Sequence, residues 1–170
     1  MDDRPVGTVT FLFTDIEGST RLLRDLGAER YRQVLNEHRR LLRRVLTTHG
    51  GYEVDTQGDA FLAAFDRPRA GVEAAADAQR AFADHAWPNG RDLRVRMGVH
   101  TCEATATTEG YVGIGIHRGR RICEAAHGGQ VLVSHITRRM EPAGRRRESS
   151  SMRAPRPAMP LVFTAISTST

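Results

Sequence analysis

The sequence predicts an α+β domain: a ferredoxin-like βαββαβ sheet with helices on one face, followed by a short C-terminal αβ appendage. Three observations support this fold. Apolar residues alternate along several short segments, they recur at helical spacing between those segments, and a glycine turn joins two neighbouring strand segments. With 170 residues the chain can bury the core of one such domain, which we expect at residues 6–140.

Each element can be justified in chain order. Val9, Phe11 and Phe13 share one face of a first strand at 8–15. The helical stretch after it is interrupted at Gly27 and ended by Gly50-Gly51. The further elements expected are strands at 52–56 and 59–65 around a Gln57-Gly58 turn, a helix at 68–86, a strand at 93–101, a polar loop at 103–110, a helix at 114–126 and a strand at 130–134. Residues 141–170 form a divergent tail rich in proline, serine and arginine, within which 161–166 is predicted as a terminal strand.

The composition limits which ligands and which cellular compartment we expect. The net charge is +5 and all 25 basic residues are arginine, so an anionic ligand would be bound by guanidinium groups. No apolar run reaches the roughly 20 residues needed to cross a bilayer, and the first residues lack the pattern of a secretory signal. Cys102 and Cys123 show neither metal-ligand spacing nor a disulfide framework. We therefore expect a cytoplasmic protein with no membrane partner.

Two acidic residues are the first candidates for chemistry. Asp15 closes the first strand, and Asp59 follows the hairpin turn. The first strand and the hairpin are neighbours in a βαββαβ sheet, so the two carboxylates should meet at one edge, where they repel unless a cation lies between them. Oxygen ligands of this kind suit Mg²⁺ or Mn²⁺. Either residue alone fits a helix N-cap or an ordinary turn, whereas the pair favours a site for two metal ions.

The segment Glu17-Gly18-Ser19-Thr20 lies between that strand and the first helix. Its backbone N–H groups, with no side chain at Gly18, could surround a phosphate at the positive end of the helix dipole. A capped helix that binds nothing has the same pattern. The segment therefore supports a phosphate site only together with the two carboxylates.

Five segments together resemble the catalytic domain of class III adenylyl and guanylyl cyclases. They occur in the family's order and read Phe13-Thr-Asp-Ile-Glu-Gly-Ser-Thr20, Thr56-Gln-Gly-Asp-Ala-Phe61, Arg96-Met-Gly-Val-His100, Tyr111-Val-Gly-Ile-Gly-Ile-His-Arg-Gly-Arg-Arg121 and Ala126-His-Gly-Gly-Gln-Val-Leu-Val-Ser134. The resemblance implies an enzyme that converts a nucleoside triphosphate, ATP or GTP, to a 3′,5′-cyclic nucleotide and pyrophosphate for intracellular signalling. It also implies a head-to-tail homodimer with its active sites between the chains.

The resemblance also assigns a role to each matched position. The implied roles are metal binding for Asp15, Asp59 and the carbonyl of Ile16, β/γ-phosphate binding for Gly18, Ser19 and Thr20, triphosphate contact for Arg96, transition-state stabilisation for Arg121, ribose orientation for His117, and base recognition for Asp55 and Gly110. His117 stands where the family has an asparagine. The ions would be two Mg²⁺ or Mn²⁺.

The base-selecting positions depart from the adenylyl cyclase pattern. Adenylyl cyclases carry a lysine where this chain has Asp55, and guanylyl cyclases carry a glutamate there. An acidic side chain can accept hydrogen bonds from guanine N1–H and N2–H₂. Glu53 is an alternative candidate for the residue that contacts the base, although the spacing to Asp59 favours Asp55.

These departures leave other functions open. One alternative is a catalytically weak or inactive cyclase-like module that binds nucleotide or dimerises as a regulator. A diguanylate cyclase would share the Gly58-Asp59 pattern, but that family lacks the motifs at 13–20 and 111–121. Nucleic-acid binding through Arg39-Arg40, Arg43-Arg44 and Arg145-Arg-Arg147 is disfavoured, because arginine pairs along a helix form a solvated face and no aromatic platform accompanies them.

Overall fold

The computed structural model describes residues 4–88, 90 and 92–140 together with the backbone of 163–166. Its elements are, in chain order, β1 (Gly7–Ile16), α1 (Ser19–His49), β2 (Tyr52–Gln57), β3 (Ala60–Phe65), α2 (Pro68–Asp84), β4 (Val95–Thr107), β5 (Gly110–Val112), α3 (Ile114–Ala125), β6 (Val131–Ser134), α4 (His135–Met140) and β7 (Phe163–Ile166). None of the helices described is both long and apolar enough to cross a bilayer.

β1 lies in the middle of a mixed sheet with the order β2-β3-β1-β4-β6-β7. It pairs antiparallel with β3 on one side and with β4 on the other. The β2–β3 hairpin turns at Gly58-Asp59, and Gly58 has φ 59°, a conformation that favours glycine at the first position of a two-residue loop. β6 and β7 continue the sheet beyond β4 as parallel strands. The order of the first four strands is that of the predicted βαββαβ core.

The two helices of this core, α1 and α2, cover one face of the sheet, in agreement with the prediction. Leu12 and Ile16 of β1 point to this face and pack in the larger core cluster with apolar residues of both helices. Phe13 points the other way and lies under α3. The appendage therefore covers the second face, so that β1 is buried on both sides.

Glycines allow α3 to lie directly on the sheet. A Cβ atom at Gly119 would come within 2.3 Å of the Phe13 ring, and one at Gly98 of β4 would come within 2.5 Å of the backbone nitrogen of Cys123. A larger residue at either position would displace the helix, because the interior is already close-packed. This contact fixes the outward-facing side chains of α3 relative to β1 and β4.

The structure corrects one predicted element and adds another. The polar loop expected at 103–110 is instead the end of β4 and a hairpin, in which Thr105 pairs with Val112 and Thr107 with Gly110. The strand continues there because its residues still alternate, with Ala104 buried between exposed neighbours. α4 directly follows β6 and was not predicted. β7 lies within the stretch predicted as a terminal strand, whereas 141–162 and 167–170 of the tail lie outside the described residues.

Candidate functional site

The carboxylates of Asp15 and Asp59 converge at the edge of the sheet. Thr14 pairs with Phe61, so Asp15 at the end of β1 lies beside the turn that carries Asp59. Burial and then the nearby charge of Asp15 raise the pKa of Asp59. Two carboxylates this close repel each other, and they can hold a cation between them.

The environment of the Asp59 carboxylate favours binding of a cation. Burial is the largest cause of its raised pKa. Its Oδ2 atom is buried and has no hydrogen-bond partner within the described part of the chain. A buried carboxylate oxygen without a partner is unfavourable, and a divalent cation would satisfy it. The donors present therefore fit Mg²⁺ or Mn²⁺.

Protein side chains alone would not complete the coordination of such an ion. Across residues 4–88, 90 and 92–140 there is no group of three or more histidine, cysteine, aspartate or glutamate side chains placed to hold one metal ion. Mg²⁺ commonly binds one or two carboxylates and keeps water or substrate phosphate in its other positions. The Asp15–Asp59 pair is of this open kind.

Arg96 supplies a positive charge at the same place. It is the direct cross-strand neighbour of Asp15 in the β1–β4 pair, and its Nε donates to Oδ2 of Asp15 over 2.8 Å. Its Nη1 donates to the carbonyl oxygen of Glu124 near the end of α3, over 3.3 Å. The bond with Asp15 raises the pKa of Arg96. The arginine that the resemblance places on a triphosphate thus forms an ion pair with a carboxylate of the candidate metal site.

The N-terminus of α1 is open. Gly18 is the N-cap residue with φ 69° and ψ 28°, and no side chain caps the helix. Leu22 donates the first helical hydrogen bond to the Gly18 carbonyl, over 2.9 Å. The amides of Ser19, Thr20 and Arg21 therefore lack a helical acceptor. Because no acidic residue lies in the first turn, these N–H groups can bind an anion.

The side chain of Ser19 faces the carboxylates. Burial raises the pKa of Asp59 and of Tyr31, and the nearby Ser19 hydroxyl lowers both. The resemblance places Ser19 on phosphate, whereas here its hydroxyl lies near a carboxylate of the candidate metal site. Tyr31 was not among the residues that the sequence predicted for the site.

A β-bulge separates the two candidate base-reading residues of β2. Glu53 pairs with Ala63 and binds Arg43 of α1 through two hydrogen bonds of 2.7 Å. Asp55 pairs with the next residue, Leu62, whose side chain belongs to the cluster on the opposite face of the sheet. Glu53 and Asp55 therefore point to different faces, although regular pairing would have placed them on the same one.

Gly110 lies against β2 at Val54, the residue before Asp55. A Cβ atom at Gly110 would come within 3.6 Å of Cγ1 of Val54, the residue in the bulge next to Asp55. The Asp55 side chain is exposed and accepts a hydrogen bond of 2.8 Å from Nε2 of Gln57. The structure thus places Gly110 against the residue that precedes Asp55.

His117 and Arg121 lie one turn apart on α3, and both are exposed. Among the described residues neither has a hydrogen bond or ion-pair partner. In particular, no such contact links them to Asp15 or Asp59. A single chain therefore does not bring these two predicted catalytic residues to its carboxylates.

Fold and site together define a domain of the nucleotide cyclase type: a βαββαβ sheet with two carboxylates at its edge and an open helix N-terminus beside them. The family model described as the adenylate and guanylate cyclase catalytic domain matches residues 1–142. The chain belongs to this family.

Curated relatives agree with this assignment. An adenylate cyclase of Mycosarcoma maydis is 36% identical over 155 residues, which cover 76% of this chain and 6% of the relative. An uncharacterized protein of Mycobacterium tuberculosis is 36% identical over 135 residues, which cover 78% of this chain and 45% of that protein. The chain thus spans less than half the length of either relative.

Solved structures confirm the ferredoxin-like α+β fold. An adenylate cyclase from Trypanosoma brucei in its monomeric state matches with a TM-score of 0.74 and 28% identity, over 82% of this chain and 77% of that one. A guanylate cyclase domain from Catenaria anguillulae, solved in complex with GTP, matches with a TM-score of 0.74 and 22% identity, over 79% and 81% of the two chains. The second likeness shows the fold alone.

Proposed function

We propose that the chain is the catalytic domain of a nucleotidyl cyclase, which converts ATP or GTP to a 3′,5′-cyclic nucleotide and pyrophosphate. The observation that carries this proposal is the convergence of Asp15 and Asp59, with the buried Oδ2 of Asp59 lacking a partner among the described residues. The reaction would serve cyclic-nucleotide signalling in the cytoplasm. The free thiols of Cys102 and Cys123 support that compartment.

The metal ligands would be Asp15, Asp59 and the carbonyl oxygen of Ile16. When bound, two Mg²⁺ or Mn²⁺ ions would supply the positive charge that lowers the pKa of the attacking ribose 3′-hydroxyl and offsets the charge of the leaving pyrophosphate. Asp59 must be ionised to act as a ligand, so its raised pKa sets the acid limit of the site.

Phosphate binding would fall to the start of α1 and to Arg96. The backbone N–H groups around Gly18, Ser19 and Thr20 lack helical acceptors and point where the helix dipole favours negative charge. Arg96 lies against Asp15 and would contact the triphosphate next to the ions. A planar guanidinium suits this role because it can bind two phosphate oxygens at once.

A second copy of the chain would complete the site. His117 and Arg121 are exposed, and among the described residues neither forms a hydrogen bond or ion pair with the carboxylates of its own chain. In a head-to-tail homodimer, His117 would orient the ribose of a nucleotide bound to the other chain, and Arg121 would stabilise the charge developing on its α-phosphate. The exposure of both side chains and their shared face on α3 support this arrangement.

Complementation tests the shared site. Asp59→Ala and Arg121→Ala chains should each be inactive as homodimers. Mixed in equal amounts, half of the dimers would be heterodimers with one intact site each, so about a quarter of the wild-type rate should return. If mixing restores no activity, the two halves of the site are not contributed by different chains.

A second candidate function is a weak or inactive module that binds nucleotide or regulates by dimerising. The residues that favour it are Asp55, Gly110 and His117, since each differs from the adenylyl cyclase pattern. Loss of a single transition-state contact typically costs about 3 kcal/mol, or about a hundredfold in rate. Such a module would still bind nucleotide with Mn²⁺, but it would release no pyrophosphate.

Turnover with a matched control separates the two functions. ATP and GTP would each be incubated with MnCl₂ and the full chain, and pyrophosphate and cyclic nucleotide would be measured. We expect product from the wild type and from Asp66→Ala, whose aspartate is exposed after β3, and none from Asp59→Ala. Nucleotide binding without product in the wild type would favour the regulatory module.

A further inference from the structure

The first part of α1 is only loosely held by packing. Gly27 has φ 76° and ψ 164°, a non-helical conformation that separates residues 19–26 from the rest of the helix. No residue of that first part is fully buried, whereas the buried residues of α1 begin at Val34. A Cβ atom at Gly18, the N-cap residue, would meet no described atom within 4 Å. The position of the open amides therefore depends on how the chain is held just before Gly18.

Glu17, the residue before this turn, is held through both its backbone and its side chain. Its backbone N–H donates to the carbonyl oxygen of Arg94 over 2.8 Å, which extends the β1–β4 ladder by one residue. Its Oε1 atom accepts a hydrogen bond of 3.0 Å from the backbone N–H of Gly128, in the loop between α3 and β6. The first bond uses the Glu17 amide, and the second joins its carboxylate to a distant segment of the chain.

The loop that contains Gly128 is itself well held. Gly129 donates to the carbonyl oxygen of Val95 over 2.9 Å, and the carbonyl oxygen of Gln130 accepts from the backbone N–H of Met97 over 3.0 Å. Both partners belong to β4, which lies next to the central strand of the sheet. A group bonded to this loop is therefore fixed relative to the sheet.

The lack of a side chain at Gly128 allows the Glu17 carboxylate to approach. Gly128 is buried, and a Cβ atom there would come within 2.5 Å of Cβ of Arg94 and within 2.6 Å of Oε2 of Glu17. A larger residue would therefore displace the carboxylate. A hydrogen bond from a backbone N–H to an ionised carboxylate is stronger than one between neutral groups. Glu17 thus links the start of the phosphate-binding turn to a loop that the sheet holds in place.

We propose that Glu17 is a positioning residue for phosphate binding: its bond to Gly128 fixes the turn at Gly18, and with it the direction of the free amides at the start of α1. In this role Glu17 does not contact the phosphates. Its negative charge alone would oppose the binding of an anion, so positioning and charge act with opposite sign. This inference rests on the proposed function in one respect, namely that phosphate binds at the start of α1.

Two substitutions separate the hydrogen bond of Glu17 from its charge. Glu17→Ala removes both, whereas Glu17→Gln removes the charge and keeps an oxygen that can accept from Gly128. Binding of inorganic tripolyphosphate to the full chain would be measured by calorimetry in saturating MnCl₂, with thermal unfolding as a check on the fold. We expect Glu17→Ala to weaken binding about threefold to tenfold, which is the range for the loss of one hydrogen bond. Glu17→Gln should bind at least as tightly as the wild type.

The control is Glu109→Ala, which removes the same charge from the exposed turn after β4, whereas Glu17 lies beside the start of that strand. This variant should bind tripolyphosphate as the wild type does. The affinity of Glu17→Ala for MnCl₂ alone should also be unchanged, because Asp15 is held within β1. A Glu17→Ala chain that binds tripolyphosphate as tightly as the wild type, or more tightly, would overturn the inference.

Gly128→Ala tests the same bond from its other end. The added methyl group would displace the Glu17 carboxylate, so this variant should also weaken tripolyphosphate binding. Adding Gly128→Ala to Glu17→Ala should cause a smaller further loss than Gly128→Ala causes alone, because the bond is already gone. Fully additive effects would mean that the two residues act separately and would contradict the proposed role of Glu17.

Gly18→Asp distinguishes failure of this inference from failure of the proposed function. It places a carboxylate beside the open amides, and aspartate tolerates the φ of 69° at this position better than most residues do. If Gly18→Asp abolishes tripolyphosphate binding while Glu17→Ala binds like the wild type, the phosphate site stands and Glu17 has no positioning role. If Gly18→Asp binds as tightly as the wild type, phosphate does not bind at the start of α1, and both proposals are wrong.

Discussion

Arg96 and Asp15 face each other across the β1–β4 pair and form an ion pair, with Nε of Arg96 2.8 Å from Oδ2 of Asp15. Asp59 adds a second carboxylate next to the first. The guanidinium therefore offsets the repulsion between these acids in the ligand-free protein. A bound cation would also offset part of this repulsion.

Replacing Arg96 should make the fold depend on metal. Arg96→Met leaves two neighbouring carboxylates without their cation, and we expect the free energy of unfolding without metal to fall by about 1–2 kcal/mol, between the values for exposed and buried ion pairs. MnCl₂ should restore more stability to this variant than to the wild type. Denaturant unfolding with and without MnCl₂ measures both effects.

The control for Arg96 is Arg32→Met. Arg32 forms an exposed ion pair with Glu29 on α1, so the loss of stability in this variant should be small and independent of MnCl₂. Equal responses of the two variants to MnCl₂ would show that Arg96 does not balance the charge of the site.

Metal binding should weaken on the acid side at a higher pH than for an ordinary aspartate. Burial, and then the charge of Asp15, raise the pKa of Asp59. As the pH falls, this carboxyl therefore takes up a proton before a typical aspartate does, whose pKa is about 3.9. A protonated carboxyl cannot act as a ligand. Calorimetric titration with MnCl₂ at a series of pH values should show this loss of Mn²⁺ affinity. An affinity that stays constant down to about pH 4 would contradict the prediction.

The same shift predicts a stability change for Asp59→Asn. Because the folded pKa is raised, the ionised carboxylate destabilises the metal-free fold above that pKa, and the penalty disappears as the pH falls below the unfolded value. Asp59→Asn should therefore be more stable than the wild type at neutral pH without metal and should gain nothing from MnCl₂. At low pH the two proteins should be equally stable.

His38 should make the fold sensitive to acid independently of the site. Its ring stacks on Phe82 with centroids 5.1 Å apart, and neither nitrogen has a partner among the described residues. Burial lowers the pKa of His38 to about 4 from an ordinary 6.5, so the unfolded chain binds the proton more readily. Stability is therefore full above pH 6.5 and falls by up to about 3 kcal/mol between pH 6.5 and 4.

Denaturant unfolding of His38→Leu over this pH range measures the effect. The variant should lack most of the loss between pH 6.5 and 4, because no buried histidine remains to be protonated. His127→Gln, at an exposed histidine, should keep the wild-type pH dependence. A wild type whose stability is flat over the same range would show that His38 accepts a proton in the folded state.

The β-bulge in β2 leads to a prediction about base preference. Asp55 lies on one face of β2, next to the residue that Gly110 lies against, whereas Glu53 is bound to Arg43 on the other face. Asp55→Lys should shift the ratio of kcat/KM for GTP to that for ATP toward ATP by at least about tenfold, since an ammonium cannot accept from guanine. Glu53→Gln should reduce stability slightly and leave the ratio unchanged. If Glu53→Gln moves the ratio and Asp55→Lys does not, Glu53 is the base-reading residue.

Periodicity and topology explain what could be predicted from the sequence. The alternation in β1 and the Gly58 turn placed Asp15 and Asp59 on neighbouring strands, and the antiparallel order then brings the two segments together. Gly27 was recognised as an interruption of α1. These signals are local, or depend only on the order of the strands.

Contacts between distant segments could not be predicted in this way. The bulge at Val54 separates the faces of Glu53 and Asp55, and the Glu53 side chain meets Arg43 on a different element.

The two acidic residues of the proposed metal site differ in how firmly their backbones are held. Asp15 belongs to a central strand with a neighbour on each side, whereas Asp59 occupies a two-residue turn next to a glycine. When ions of different radius are exchanged, the turn can shift while the strand stays in place. At the proposed metal site, discrimination between the smaller Mg²⁺ and larger divalent ions should therefore depend on the stiffness of the hairpin tip, so that a substitution at Gly58 should alter ion preference more than one within β1.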